Sequence, residues 1–241
     1  MIDIQNLTFT HPNLSAPLFQ NWNWRVERGE FCSVIGPSGC GKSTLLHLIV
    51  GGRAPNLGTI SVNDESVPRK KNRGKTGLVL QDYGLLPWST VRENVELGLR
   101  IREFYGQDGR RRTEDGNVMS SVVGPPSSVD FWLERFGLTA LTKKYPAQIS
   151  GGQQQRVAIA RTLVLEPDVL LMDEPFSALD APTREDLERL TLDLQNETQT
   201  TTVFVTHNID EAVFLGRKIL VLGMPPHRSP LRVVDNPGAG R

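Results

Sequence analysis

The sequence predicts an α/β fold with parallel strands alternating with helices, an antiparallel β portion near the start, and a helical lobe set into the middle. Three observations carry this reading. The short apolar run 31–35 ends at Gly36, and a helical stretch over 43–50 begins just past a glycine-rich turn. The runs 169–172 and 202–206 read as buried parallel strands, with Leu187, Leu190 and Leu194 marking one face of a helix between them. From 84 to 146 the rhythm becomes helical.

Near the start, Ile2, Ile4, Leu7 and Phe9 alternate roughly with polar residues, which predicts a half-buried strand ahead of a turn at His11-Pro12-Asn13, with more antiparallel sheet after it. The expected layout is one domain over 1–224, with the helical lobe inserted at about 84–164, followed by a tail over 225–241. Within the lobe, Thr90 and Glu93 have capping-box spacing, and Phe131 and Phe136 bracket a resumed apolar rhythm. Between these, about 105–129, lie Asp108-Gly109, Arg110-Arg111-Arg112, Asp115-Gly116 and Gly124-Pro125-Pro126. Such breakers predict a variable loop, and its three arginines read as a solvated surface. The proline- and glycine-rich tail is expected to wrap the surface or to be disordered.

Lys and Arg number 27, as do Asp and Glu. No field of one sign therefore points to a nucleic-acid partner, and any bound anion must be held locally. Cys32 and Cys40 lack companion ligands at metal-binding spacing, so neither a disulfide framework nor a zinc site is implied, and a reducing cytosolic setting is expected. No run approaches the ~20 apolar residues of a membrane span, so the chain is expected to be soluble.

Gly36-Pro37-Ser38-Gly39-Cys40-Gly41-Lys42-Ser43 matches the phosphate-loop pattern at every fixed position and sits between strand and helix, where that pattern has physical meaning. Its glycines let backbone N–H groups turn inward around a phosphate, the helix start adds its dipole, and Thr44, next along the helix, is counted with residues 36–43 in the expected ATP-binding set. Lys42 supplies a point charge for the β- and γ-phosphates, and Ser43 a hydroxyl for Mg²⁺. Cys40 reads as a small filler of the loop. The run 169–172 then delivers Asp173 and Glu174 at a strand end, where ligands of open parallel sheets collect. Asp173 is placed to orient Mg²⁺ or its bound water, and Glu174 to polarise an attacking water. Alone, an apolar run ending in Asp-Glu is common; paired with the phosphate loop it becomes specific.

A third element, Ile149-Ser150-Gly151-Gly152-Gln153, resembles the Leu-Ser-Gly-Gly-Gln signature of the ABC ATPase family, with Ile149 in place of the usual leucine and a helix expected over 153–165. The remaining family motifs follow in order: Gln81 at a strand end, Ser177-Ala178-Leu179-Asp180 after Glu174, and His207 after the run 202–206. The resemblance implies an ABC ATPase fold with a RecA-like parallel-sheet core, an antiparallel β subdomain and a helical subdomain, and hydrolysis of ATP with Mg²⁺. It assigns Gln81 to the metal and water, Asp180 to a dimer interface, and His207 to the γ-phosphate. It also implies a head-to-tail pair of ATPase subunits in which Ser150, Gly151, Gly152 and Gln153 of one close the nucleotide site of the other. The family commonly stacks adenine on an aromatic residue after the first strand; the matching residue is His11, with Phe9 as the competing candidate.

Leu85-Leu86-Pro87-Trp88, followed by Thr90-Val91-Arg92-Glu93-Asn94-Val95, resembles the importers of nitrate, sulfonates and taurine. That branch implies an integral membrane permease as partner, an extracytoplasmic solute-binding protein acting indirectly, no nucleic acid, and a place at the cytoplasmic face of the inner membrane. The stretch between Gly98 and Tyr145 is longer than the family pattern. Trp88 has two readings, a docking anchor for the permease or a plug inside the helical lobe. Exporter and soluble non-transport ATPases of the family are the alternative functions.

Overall fold

In strand β1 (Ile2–Phe9) the apolar side chains at Ile2, Ile4, Leu7 and Phe9 are all buried, yet three steps separate Ile4 from Leu7. The opposing strand β2 (Phe19–Val26) spans only Trp24 to Trp22 over the same interval, so β1 carries an extra residue there. Asn6 adopts φ 51° within this bulge, which restores Leu7 to the core face. The structure, a computed structural model, describes residues 1–12, 14–68, 76–105, 129–229 and 232–240. The three consecutive arginines and nearly all of the expected variable loop lie outside the described residues.

Contacts divide the chain into one unit of Met1–Asp82 with Pro167–Arg241 and a second unit, Tyr83–Glu166. In the first unit, an antiparallel sheet of order β2-β1-β4-β5 is completed by β4 (Leu57–Val62) and β5 (Glu65–Ser66). The second sheet contains β3 (Phe31–Ile35), β6 (Thr76–Val79), β7 (Val169–Asp173), β8 (Thr201–Thr206), β9 (Lys218–Val221) and β10 (Arg232–Asp235), in the order β10-β9-β3-β8-β7-β6. All pairs from β9 to β6 are parallel. Every residue of β7 and β8 is buried, as the continuous apolar runs predict for strands covered on both faces. Leu45, Leu46, Leu48 and Ile49 of α1 (Lys42–Ile49) share one core with the buried face of β1 and with Val34, Val203 and Val205.

Helix α5 (Ala181–Thr198) precedes β8 and buries Leu187 and Leu194, while α6 (Ile209–Leu215) follows it. Of the two expectations for the tail, the described residues favour the one that lays it along the surface, and they add regular pairing that its composition did not announce. Strand β10 pairs antiparallel with β9, and His227 is buried and bridged to Phe19, so backbone hydrogen bonds tie residues after Pro225 to both sheets.

The second unit contains α2 (Val91–Tyr105), α3 (Val129–Arg135) and α4 (Gly151–Leu163), with α4 packed against the other two. The Thr90–Glu93 capping box is formed: the Thr90 N–H donates to Glu93 Oε2 at 2.7 Å and the Glu93 N–H to Thr90 Oγ1 at 3.3 Å. Trp88 is 73% exposed, which removes the plug reading. Among the described residues, no helix is long and apolar enough to cross a membrane.

Candidate functional site

Between β3 and α1 the loop 36–41 passes through left-handed backbone at Gly39 (φ 77°) and Gly41 (φ 103°). The φ at Gly41 is one that side chains rarely adopt, and an added Cβ would also press on the tip of Leu18, 2.8 Å from Cδ2, so the conformation calls for glycine there. Lys42 is 6% exposed. Its Nζ donates to the Gly36 and Pro37 carbonyls at 2.9 and 3.2 Å and lies 3.6 Å from Glu174 Oε1. Cys40 is fully buried beneath the loop, and burial pushes its thiol above the ordinary range, in keeping with a filler rather than a nucleophile.

Ser43 Oγ donates to Asp173 Oδ1 at 3.1 Å across the gap between α1 and β7. Burial raises the Asp173 carboxyl above its usual value, and the hydrogen bond from Ser43 acts in the opposite direction. Glu174 Oε2 is 2.8 Å from His207 Nδ1, and His207 follows the end of β8. Gln81 lies two residues past the end of β6 at Val79, at the strand end expected of it.

Ser43, Gln81 and Glu174 line a cavity of about 530 Å³ together with His11, Ser38, Gly39, Gly41, Lys42 and Thr44, with Leu14, Ala16, Pro17, Leu18 and Pro225 as its less polar wall; Asp173 and His207 reach it through Ser43 and Glu174. His11 Nε2 approaches Thr44 Oγ1 at 3.3 Å, and its ring meets Phe9 edge-on at 5.1 Å. Phe9 is only 5% exposed, so of the two base-contact candidates only His11 lines the cavity. Among the described residues no cluster of three or more His, Cys, Asp or Glu side chains could hold a metal ion alone. The hard oxygens of Ser43, Asp173 and Gln81 nevertheless suit Mg²⁺, which keeps several waters and shares substrate phosphates rather than demanding a full protein cage.

The signature residues lie in the other unit. Ser150 is the N-cap of α4: the Gln153 N–H donates to Ser150 Oγ at 3.3 Å, and the Ser150 N–H donates to Gln153 Oε1 at 3.0 Å. The helix therefore begins at Gly151, earlier than the expected 153, because Ser150 and Gln153 form a capping box that the family motif obscured. Gly151 is exposed and Gly152 half-buried at its first turn. Asp180 caps α5 through the Thr183 N–H, and the hydrogen bonding by Thr183 holds its carboxyl below the ordinary range. It does not line the cavity.

Sequence reasoning missed Asn94 and Arg161. Asn94 is fully buried, and its side-chain amide bonds the backbone of Leu86, Ser89 and Thr90, fixing the segment that presents Trp88. A polar residue on the buried face of α2 was the available signal. Arg161 donates to the Tyr83 and Gly84 carbonyls, both at 2.7 Å, and nothing in its spacing announces this.

The family model for ABC transporters matches residues 19–177. An aliphatic sulfonates import ATP-binding protein of Bacillus cereus is 38% identical over 98% of this chain and 85% of its own length. A nitrate import ATP-binding protein of Synechocystis is 39% identical over 92% of this chain and 76% of its own, and a taurine import ATP-binding protein of Ruegeria pomeroyi 40% identical over 94% and 79%. Among solved structures, a dimeric bacterial ABC transporter cassette superposes with a TM-score of 0.79 at 32% identity, covering 99% of this chain and 100% of that one. A dimeric post-hydrolysis state of an ATP-binding cassette bound to ADP and phosphate gives 0.77 at 31% identity, with the same coverage. With a phosphate loop and paired acids in its two-sheet unit and a signature helix in its other unit, the chain belongs to the ABC transporter family, as one of its ATP-hydrolysing cassettes.

Proposed function

We propose that this chain powers a solute importer, working as a head-to-tail dimer on a separate integral membrane permease at the cytoplasmic face of the membrane. The observation that carries the reading is the convergence of Lys42, Ser43, Gln81 and Glu174 on one cavity, with Asp173 and His207 hydrogen-bonded to its lining. Phosphates of ATP sit against the backbone N–H groups of the loop and the start of α1, and the Lys42 ammonium contacts the β- and γ-phosphates. Ser43, Asp173 and Gln81 would hold Mg²⁺, which when bound neutralises charge on the phosphate oxygens. Glu174 takes a proton from the water that attacks the γ-phosphorus as the bond to the β–γ bridging oxygen breaks, and His207 orients that carboxylate. His11 contacts the base. Ser150, Gly151, Gly152, Gln153 and Asp180 of the second subunit close the site.

The relatives named for import of aliphatic sulfonates, nitrate and taurine support a small anionic or sulfonated solute, delivered by an extracytoplasmic binding protein. Titration of a fluorescent ATP analogue with Mg²⁺ tests the site. Lys42→Ala is expected to lose most of the affinity, because the phosphates lose their nearest fixed cation; unchanged affinity would remove residues 36–43 from the binding site.

A further inference from the structure

One buried imidazole lies outside the machinery above. His227 is 6% exposed, and its Nε2 is 2.6 Å from the carbonyl oxygen of Cys40. A carbonyl only accepts, so Nε2 carries the proton and donates. The residue is held firmly for this contact. Its N–H donates to the Leu18 carbonyl and its own carbonyl accepts from the Gln20 N–H, both at 2.9 Å, while its ring packs on Phe19 at 5.2 Å. The next two residues are pinned as well: Arg228 Nε donates to Gln20 Oε1, and the Asn23 N–H donates to Ser229 Oγ, each at 2.9 Å.

The atom it grips lies within the phosphate loop. Cys40 stands between Gly39 and Gly41, both in left-handed backbone, where glycine leaves the chain most freedom to swivel. The Cys40 carbonyl and the Gly41 N–H belong to one peptide plane and point in opposite directions when that peptide is trans. A donor that fixes the carbonyl on one side therefore fixes the N–H on the other, and Gly41 lines the cavity.

We propose that His227 is a positioning residue for the phosphate loop: its hydrogen bond to the Cys40 carbonyl holds the Gly41 N–H in the direction that a nucleotide phosphate requires. The proposal rests on the reading of residues 36–43 as the phosphate site. It gives the segment after β9 a role in nucleotide affinity, exercised without touching nucleotide.

The full chain and its variants are titrated with a fluorescent ATP analogue and Mg²⁺, beside melting curves and steady-state hydrolysis. His227→Phe keeps a ring against Phe19 but has no donor. Its affinity is expected to fall about fivefold, the equivalent of one neutral hydrogen bond, with KM for ATP rising in step, kcat little changed and the melting temperature near wild type. His227→Gln, whose amide reaches the same carbonyl, is expected to recover most of the affinity. Full affinity in His227→Phe overturns the proposal, as does an equal loss in His227→Gln. Should His227→Phe fold poorly, His227→Gln and His227→Asn offer the same polarity at different reach, and equal affinities in that pair overturn it. Lys42→Ala runs alongside: if it binds as wild type does, the phosphate-loop reading has failed and the proposal falls with it, whereas a loss of affinity in Lys42→Ala with none in His227→Phe refutes the proposal alone.

Discussion

Glu174→Gln separates binding from chemistry at this site. The carboxylate lies 2.8 Å from His207 Nδ1 and 3.6 Å from Lys42 Nζ, with 18% of the side chain exposed. The amide keeps the shape and one hydrogen-bonding oxygen but cannot accept a proton from water. Base catalysis contributes roughly 10²–10⁴-fold, so phosphate release at saturating Mg-ATP is expected to fall by about that factor. Binding is expected to move the other way. At an effective dielectric near 20, unit charges 3.6 Å apart interact by about 5 kcal/mol before solvent screening, so the carboxylate competes strongly with phosphate for the Lys42 charge. Its removal also takes a negative group away from the γ-phosphate. ATP affinity should hold or tighten, and the ATP-bound variant should accumulate as a dimer on size-exclusion chromatography. Hydrolysis within about threefold of wild type would refute the assignment of the base, and a monomer at saturating Mg-ATP would refute the composite site.

Trp88→Ala is expected to weaken co-purification with the permease, by about 2 kcal/mol if the indole is a central anchor, while leaving the melting temperature near wild type because the side chain is already 73% exposed; a destabilised variant that assembles fully would sink the docking role. Burial and the neighbouring Glu211 push the Glu188 carboxyl up to about 7 from an ordinary 4.5. The native state then holds a proton that the unfolded chain releases, so this contribution to stability is complete below about 4.5 and is lost as pH rises through about 7, by at most about 3 kcal/mol. Glu188→Gln should therefore melt higher than wild type at pH ~8, with the gap closing toward pH ~5; parallel melting profiles across that range would contradict the shift.

The parallel sheet was legible because strands buried on both faces must read as continuous apolar runs, and 169–172 and 202–206 do so. The phosphate loop was legible because its glycines and Lys42 are fixed by backbone geometry and charge within eight consecutive residues. Contacts between distant segments left no such trace. His227 stands 187 residues from the carbonyl it binds, and its neighbours in sequence, two prolines and an arginine, suggested only an irregular tail. Strand β10 was hidden for a related reason. All four of its residues are exposed, so no alternation of buried and exposed side chains marks it, and its pairing is carried by the backbone alone. The bulge at Asn6 likewise broke the period in β1 without moving any apolar residue off the core.

The two acids pose a geometric problem that the sequence hides. Successive residues of a strand point to opposite faces, so an Asp-Glu pair at the end of β7 would send one carboxylate away from the other if the strand simply continued. Asp173 is the last residue of β7, and Glu174 turns into left-handed backbone at φ 43°. The reversal breaks the alternation, so Asp173 reaches Ser43 while Glu174 lines the same cavity. A non-glycine residue in that region costs on the order of 1–2 kcal/mol and persists only where its surroundings hold it. Here they do. The Glu174 N–H donates to the Val205 carbonyl at 2.9 Å, and the Glu174 carbonyl accepts from both the N–H and the hydroxyl of Ser177, at 3.3 and 3.0 Å. Phe176, fully buried against Phe204 with ring centroids 5.5 Å apart, anchors the turn that carries Ser177. The residues after the acids thus have a local duty within the chain itself: they stabilise the left-handed turn that brings two adjacent carboxylates to one site.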